Sequence, residues 1–584
     1  MMALALGVPA AMAQPRDDAA AASADAGAAA AEGTPLTLVV KRQDTLIGLG
    51  RRLFTSPTAW REVARLNRLR NPDRLTPGQT LVVPERLLRW DALEARVVSV
   101  AGSVVAAPRE AGAPERALAE GDQVAEGSVV YTATGSSAVL ELGDGTRVKL
   151  PPDSRIEIST NRRYGVPAAS PAPGAATPAA TGEAAPVSDQ DGWFATAMRL
   201  ISGSVEVVAE KLRPRSRPIE TTTPTAVIGV RGTTYRVGLG GEGRTAFTRS
   251  EVLEGRVQAD ARAGGAGAAV KAGFGVALDA QGTPPVVLAL PEAPDLAGVP
   301  PRHERPVVRF ASPEPASALR LQVAEDTAFE RIVADQVVAP GTEVRIGGLP
   351  DGTWQLRARR IDASGIEGRD GAGRFVLKAR PEPPAVITPR PGSKANVAPV
   401  DLSWAENVQA RSYRIQVAEQ ADAAFERPVL SREGIEGAGT RIELPGAGLY
   451  RWRMASVGVD RSGQPDIGPW GDAQGFELKA LPEPPKGGAG RDGAIQLAWG
   501  GREQDRYQVE LARDEAFGQV VAQAEVDKPE WQPPRQEQGG AYFFRYRSVE
   551  PDGWVSPPSS TLRIDVPRPD RGWLWLFAPL LLLI

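Results

Sequence analysis

Residues Leu36 to Pro84 read LTLVVKRQDTLIGLGRRLFTSPTAWREVARLNRLRNPDRLTPGQTLVVP. The opening run, Leu36 to Val40, is apolar and predicts a strand. Asp44 and Thr45 follow, and Asp is a strong helix N-cap. Leu46, Leu49 and Leu53 then recur at helical spacing. Thr58 predicts the cap of a second helix, with Trp60, Val63, Ala64 and Leu66 as its apolar stripe. Asn71-Pro72 and Pro77-Gly78 are turn signals. Leu81 to Val83 predicts a closing strand that stops at Pro84. The predicted order is strand, helix, helix, strand.

On these residues the stretch resembles a LysM domain. The matching positions are Asp44-Thr45-Leu46, Trp60, Leu66-Asn67, Asn71-Pro72 with Leu75, and Pro77-Gly78-Gln79. Ile47 departs from the family, which often carries an aromatic residue there, and Gln43 stands where Gly is common. The resemblance implies binding of N-acetylglucosamine-containing glycan such as peptidoglycan. It implies a shallow groove in which Asp44, Thr45 and Leu46 face Asn71, Pro72, Asp73, Arg74 and Leu75. Backbone amides and carbonyls there would bond N-acetyl groups, and apolar atoms would cover the sugar face. The plainer reading makes Asp44 a cap and Asn71 a turn residue.

Between Pro35 and Trp90 stand eleven Lys and Arg against four acids, a local net of +7 in a chain of net −3. Arg61, Arg65 and Arg68 are expected on one helix face. Such runs are usually solvated faces. The sharper reading is attraction to anionic envelope polymer or lipid headgroups, screened by salt. Nucleic acid is not expected, because no aromatic residues interleave the basic ones.

A chain of 584 residues implies several domains. With no cysteine it has no disulfide, thiolate metal site or cysteine nucleophile. The one histidine, His303, lies in a proline-rich stretch read as a linker, where a catalytic imidazole is poorly held. A multi-histidine metal site is excluded. Paired-carboxylate chemistry stays open, but no segment resembles such an enzyme. No catalytic residue, metal or cofactor is expected.

Met1 to Ala13 is apolar and ends in Ala11-Met12-Ala13, which predicts a secretory signal peptide (1–13) cleaved before Gln14. A flexible linker is expected over 14–34, and the glycan-binding module over 35–88. Residues 95–290 alternate apolar with polar and predict an all-β domain. Leu140 and Leu142 oppose Glu141, Val148 and Leu150 oppose Arg147 and Lys149, and Asp144-Gly145 predicts the hairpin turn between them. A short helix is expected near Phe194 to Ile201. The Ala/Pro/Gly-rich stretch 162–191 reads as a disordered insertion. Gly238, Gly240 and Gly243 match a dinucleotide fingerprint formally, but Thr245 to Leu253 reads as a strand, so the glycines predict a hairpin turn.

The stretch from Thr223 to Val237, TPTAVIGVRGTTYRV, with Gly203-Ser-Val-Glu-Val and Leu253-Glu-Gly-Arg-Val257 beside it, is similar to the signature of the FecR domain, a periplasmic β-rich module. Arg231-Gly232 is expected to shape a tight corner. Proteins named for this domain relay an outer-membrane signal to a cytoplasmic sigma factor, which would require a spanning helix.

Beyond a linker at 291–306, Arg320-Leu-Gln-Val-Ala-Glu-Asp-Thr-Ala-Phe329 recurs from Arg414 to Phe425 and from Gln508 to Phe517. Phe310, Trp404 and Trp499 hold the equivalent upstream place, and Trp354, Trp452 and Phe544 a later one. Three β-sandwich repeats are predicted, over 301–380, 381–480 and 481–567. They resemble fibronectin type III or related immunoglobulin-like modules, with the aromatic residues as core. The tail 568–584 ends in WLWLFAPLLLLI. Twelve helical residues span about 18 Å against a hydrocarbon core of about 30 Å. A truncated anchor, a shallow insertion and a docked strand all stay open, and membrane contact is favoured.

The fold class expected is therefore multidomain and mainly β: a small βααβ module, a FecR-type domain, then three sandwich repeats. The function expected is that of a secreted, non-enzymatic protein in the periplasm or cell envelope of a Gram-negative bacterium. It would bind peptidoglycan through the first module and offer the others to unidentified envelope proteins. The alternative is a periplasmic FecR-type signal transducer or sigma-factor regulator.

Overall fold

The structure, a computed structural model, describes residues 35–568 apart from 111, 165–192, 211–214, 216, 242, 265–266 and 397–398. The signal peptide, the first linker and the apolar tail expected above fall outside the described residues, as does most of the insertion. The described chain is mainly strand, with two short α-helices near its start. It forms two compact units that divide between Leu377 and Lys378.

The first unit opens with β1 (Pro35–Val39), α1 (Leu46–Leu53), α2 (Trp60–Leu66) and β2 (Thr80–Pro84). The two strands pair antiparallel, Leu38 opposite Leu81. Leu46, Leu49 and Leu53 put one face of α1 into the core, each burial stabilising by about 1.5–3 kcal/mol. Several local expectations need correction. Thr45, not Asp44, caps α1: its Oγ1 accepts from Gly48 N at 3.1 Å. Thr58 does not cap α2, whose N-cap is Ala59 with no side-chain bond. Leu66 is 47 % exposed rather than part of the stripe. Arg68 lies beyond the helix with φ +50°, so it does not share a helical face with Arg61 and Arg65. Asn67 closes the module instead. Its Nδ2 donates to Val63 O and Val82 O, and its Oδ1 accepts from Val82 N, tying the end of α2 to β2.

This module does not complete its own core. Tyr164 and Ala195, from the next domain, are buried among Leu36, Leu49, Phe54 and Leu88, with Trp193 packed beside them. A third strand, β3 (Trp90–Ala92), pairs with Arg162–Tyr164, and the Arg162 guanidinium lies 3.9 Å from the Trp90 ring.

The next domain is two sheets of nine and ten strands among the described residues, sharing one core. Val97, Leu140, Val207, Tyr235 and Val252 enter it from one sheet, and Ile156, Met198, Ile228 and Val257 from the other. The expected hairpin is present: Arg147 pairs with Glu141, Gly145 turns at φ +83°, and buried Asp144 accepts from Thr146 N. At Arg231-Gly232 the chain leaves one sheet for the other, with Gly232 at φ +64°. The helix expected near Phe194 is instead part of a strand, Trp193–Ser202. Its residues are buried almost continuously, a pattern that periodicity does not separate from a helix. The insertion begins only after Tyr164, because Arg162–Tyr164 pair with Trp193–Ala195.

The first sandwich pairs a five-stranded sheet with the two strands Val308–Ala311 and Glu343–Ile346. His303 is not in a loose linker. It forms a short parallel strand against Gly371–Leu377, is 8 % exposed and meets the Phe375 ring edge-on at 5.3 Å. Burial lowers its pKa. This sandwich is joined to the preceding domain by buried ion pairs centred on Glu367, whose carboxylate meets Arg249 at 2.5 Å, Arg359 at 2.9 Å and Arg320 at 3.0 Å.

The second unit holds two further sandwiches, each a three-stranded sheet with a larger partner. Trp404 and Trp452 fill the first core, and Trp499, Trp531 and Phe544 the second. The aromatic residues expected as core are core in all three copies. The second and third sandwiches are clamped by Glu550, which takes Lys394 at 2.6 Å and Lys479 at 3.0 Å.

Candidate glycan-binding site

The β1–β2 ladder ends at Val39 opposite Thr80. The chain leaves β1 there into the turn Lys41–Asp44 and returns to β2 from the loop after α2. Both loops therefore stand at one end of one ladder. Val40 N donates to Gln79 O at 2.9 Å and Gly78 N to Val40 O at 2.8 Å, which locks them together.

On the first loop, Asp44 Oδ2 accepts from Lys41 N at 2.9 Å and Oδ1 meets Arg52 at 3.2 Å. Its carboxylate is spent on the turn and on α1. Thr45 is exposed but its hydroxyl caps α1. Leu46 is fully buried, so its side chain cannot cover a sugar face. The apolar side chain that does stand out is the neighbouring Ile47, 36 % exposed, at the position where LysM domains often carry an aromatic residue. Sequence periodicity assigned Leu46 to the core stripe as well, and that signal could have separated the two.

On the second loop, Asn71 Oδ1 accepts from Asp73 N at 3.0 Å, an Asx turn. Asn71, Asp73 and Arg74 are exposed, while Pro72 is half-buried and Leu75 packs partly on the core. Gln79 Oε1 accepts from Thr76 N at 3.1 Å and steadies the return. The residues around the two loops make an open surface, with carbonyls and amides of tight turns at its rim. Of the other acids of this module, Glu62 pairs with Arg86, Glu85 is buried 4.0 Å from Arg217, and Asp73 is exposed. Arg51, Arg61, Arg65, Arg70 and Arg74 are exposed, so the positive excess lies on the outside.

The glycine fingerprint has a packing explanation. Gly238 faces Arg249 and Gly240 faces Phe247 across a hairpin, and a Cβ on Gly238 would fall 2.5 Å from the Arg249 guanidinium. No phosphate-binding helix follows. Among the described residues no cluster of three or more His, Asp or Glu is arranged to hold a metal, and no helix is long and apolar enough to cross a membrane.

Residues 38–84 match the family model described as LysM domain, and residues 183–258 match that described as FecR protein. Among curated proteins none matches significantly. Solved structures similar to parts of the chain include an anti-sigma factor candidate from Parabacteroides distasonis ATCC 8503, at 14 % identity and TM-score 0.19, covering 28 % of this chain and 59 % of that one. Others are the chicken CNTN1 FN1–FN3 domains, at 13 % and 0.20 over 45 % and 95 %, and the Clostridium thermocellum CbhA fibronectin(III)-like modules, at 12 % and 0.18 over 32 % and 94 %. The chain spans less than two thirds of the first of these. The sandwich assignment rests on the strand pairing itself.

Proposed function

We propose that this is a non-enzymatic protein of the periplasm or cell envelope of a Gram-negative bacterium, secreted and held on peptidoglycan by its first module. The observation that carries the reading is the pair of exposed turn-rich loops at one end of the β1–β2 ladder, inside the segment that matches the LysM domain. The glycan would lie between Asp44-Thr45-Leu46, acting through their backbone, and Asn71, Pro72, Asp73, Arg74 and Leu75, with Ile47 as the apolar contact. The FecR-like domain and the sandwiches serve as surfaces for other envelope proteins. The test is retention of the full chain on purified sacculi. Asn71→Ala combined with Arg74→Ala should weaken retention about tenfold while the thermal unfolding of the protein stays put. Equal retention of wild type and variant would overturn the site.

A second reading is favoured by the match of residues 183–258 to FecR protein: a periplasmic transducer that passes a signal to a sigma-factor regulator. Crosslinking in cells distinguishes the two. Capture of an outer-membrane receptor together with a sigma-factor regulator would favour the transducer, and peptidoglycan-linked species alone would favour the scaffold.

A further inference from the structure

The ion pairs between the FecR-like domain and the first sandwich form one connected group in which no neighbour is farther than 4.0 Å. Its cations are Lys149, Arg236, Arg249, Arg320, Arg357 and Arg359. Its carboxylates are Glu206, Glu251, Asp335, Glu367 and Asp370. Six positive groups meet five negative ones among the described residues, and four of the cations, Arg236, Arg249, Arg357 and Arg359, have side chains 3–9 % exposed. An unbalanced charge out of water is costly unless something compensates it.

Beside this group lies a small, partly open cavity of about 20 Å³, lined by five of the six cations but only two of the carboxylates, Glu206 and Glu367. That is room for one water or one monatomic ion. In two of the lining residues, Arg236 Nε and Arg359 Nη2 are buried and donate no hydrogen bond; Arg236 Nε lies 4.0 Å from Glu251 Oε2, itself a buried acceptor without a donor, and Arg359 Nη2 lies 3.5 Å from Glu206 Oε2. Burial, and after it the charge of Arg359, push the Arg357 pKa down to about 10. Arg357 thus keeps its proton at neutral pH, in surroundings that resist the charge.

We infer that this cavity is a binding site for a monatomic anion of the chloride class, which neutralises the surplus and accepts from guanidinium groups that the carboxylates reach only at 3.5–4.0 Å. The anion then acts as a bolt between the FecR-like domain and the first sandwich. This cavity is small and lined mainly by cations, and none of its groups belongs to the glycan site.

Bromide is the probe. The full chain is melted in sodium bromide and in sodium methanesulfonate at equal ionic strength, and crystals grown in bromide are examined at the bromine absorption edge. Bromide should raise the Tm saturably by about 2–4 °C, with an anomalous peak in the cavity. Lys149→Gln removes one positive charge and balances the group, so its Tm should not respond. Arg147→Gln, an exposed cation outside the group, should respond as wild type does. Equal melting of wild type in both salts, or a bromide response retained in Lys149→Gln, overturns the proposal. If Lys149→Gln fails to fold, the wild-type anomalous map decides: a peak in the cavity supports the site, and a cavity holding only water refutes it.

Discussion

Gln43 sits at φ +73° in the turn that carries the first glycan loop. The left-handed region costs a residue with a Cβ about 1–2 kcal/mol, partly offset by the entropy that glycine loses on folding. Gln43→Gly should therefore stabilise the first module by about 0.5–1 kcal/mol, seen as a raised urea midpoint. A lowered midpoint would show that the glutamine side chain holds the turn. A stranger set of positive φ angles recurs at Phe329, Phe425 and Phe517, +53°, +58° and +57°, one in each sandwich. Each ring is buried and lies under a guanidinium, Arg357, Arg453 and Arg545, at 4.3, 4.1 and 3.9 Å. Each loop is also held by an aspartate, Asp326, Asp422 or Asp514, that accepts from two backbone amides beyond the phenylalanine. The burial and the capped amides hold a conformation that the residue disfavours. Phe425→Ala keeps the unfavourable φ and loses the ring, so it should cost about 3–5 kcal/mol in the second unit by calorimetry. The repeated Ala-Phe pair made the aromatic residue visible in the sequence. The left-handed turn was not visible, because nothing in a Phe side chain announces it.

At the scale of elements, the FecR-like hairpin that ends at Tyr164 and restarts at Trp193 acts as a wall of the first module's core. Tyr164 is 5 % exposed and packs among leucines of the other domain. Tyr164→Ala should destabilise the first module by about 3 kcal/mol, and hydrogen exchange should quicken in α1 and α2 before the main sheets open. Unchanged protection there would mean that the module stands alone. This contact explains which part of the fold could be read from sequence. Alternation gave the strands Ser137–Glu141 and Arg147–Leu150 and their turn, because Glu141, Arg147 and Lys149 stand on the face opposite the core leucines and valine. It failed for Trp193–Ser202, buried on both faces, where a continuous apolar run has no period to read. In the candidate site the turns were legible from Asn-Pro and Pro-Gly. The burial of Leu46 was legible too, from its helical spacing with Leu49 and Leu53, but what Asp44 does was not, since a carboxylate drawn to Arg52 is settled by contact rather than by residue type.

Across the first unit, cohesion between the FecR-like domain and the first sandwich depends on carboxylates that are hidden but charged. Burial works against ionisation of Glu367, yet Arg249, Arg320, Arg359 and Arg236 overcome it and hold its pKa well below the ordinary carboxylate range. Glu206 and Asp370 are lowered too, against their own burial, chiefly by Arg357 and Arg359. A carboxylate whose pKa falls on folding contributes stability that is complete above its unfolded value, about 4. That stability drains away as the pH drops towards the folded value. The first unit should therefore keep its stability from neutral pH down to about 5, and its urea midpoint should then fall steeply between about pH 4.5 and 3. Glu367→Gln leaves four guanidinium groups facing a neutral amide, so this variant should be weaker at pH 7 and should show a shallower acid limb. A wild-type midpoint that stays level down to pH 3 would mean that these pairs do not hold the two domains together. A variant whose acid limb is as steep as that of wild type would move the responsibility from Glu367 to Glu206 and Asp370.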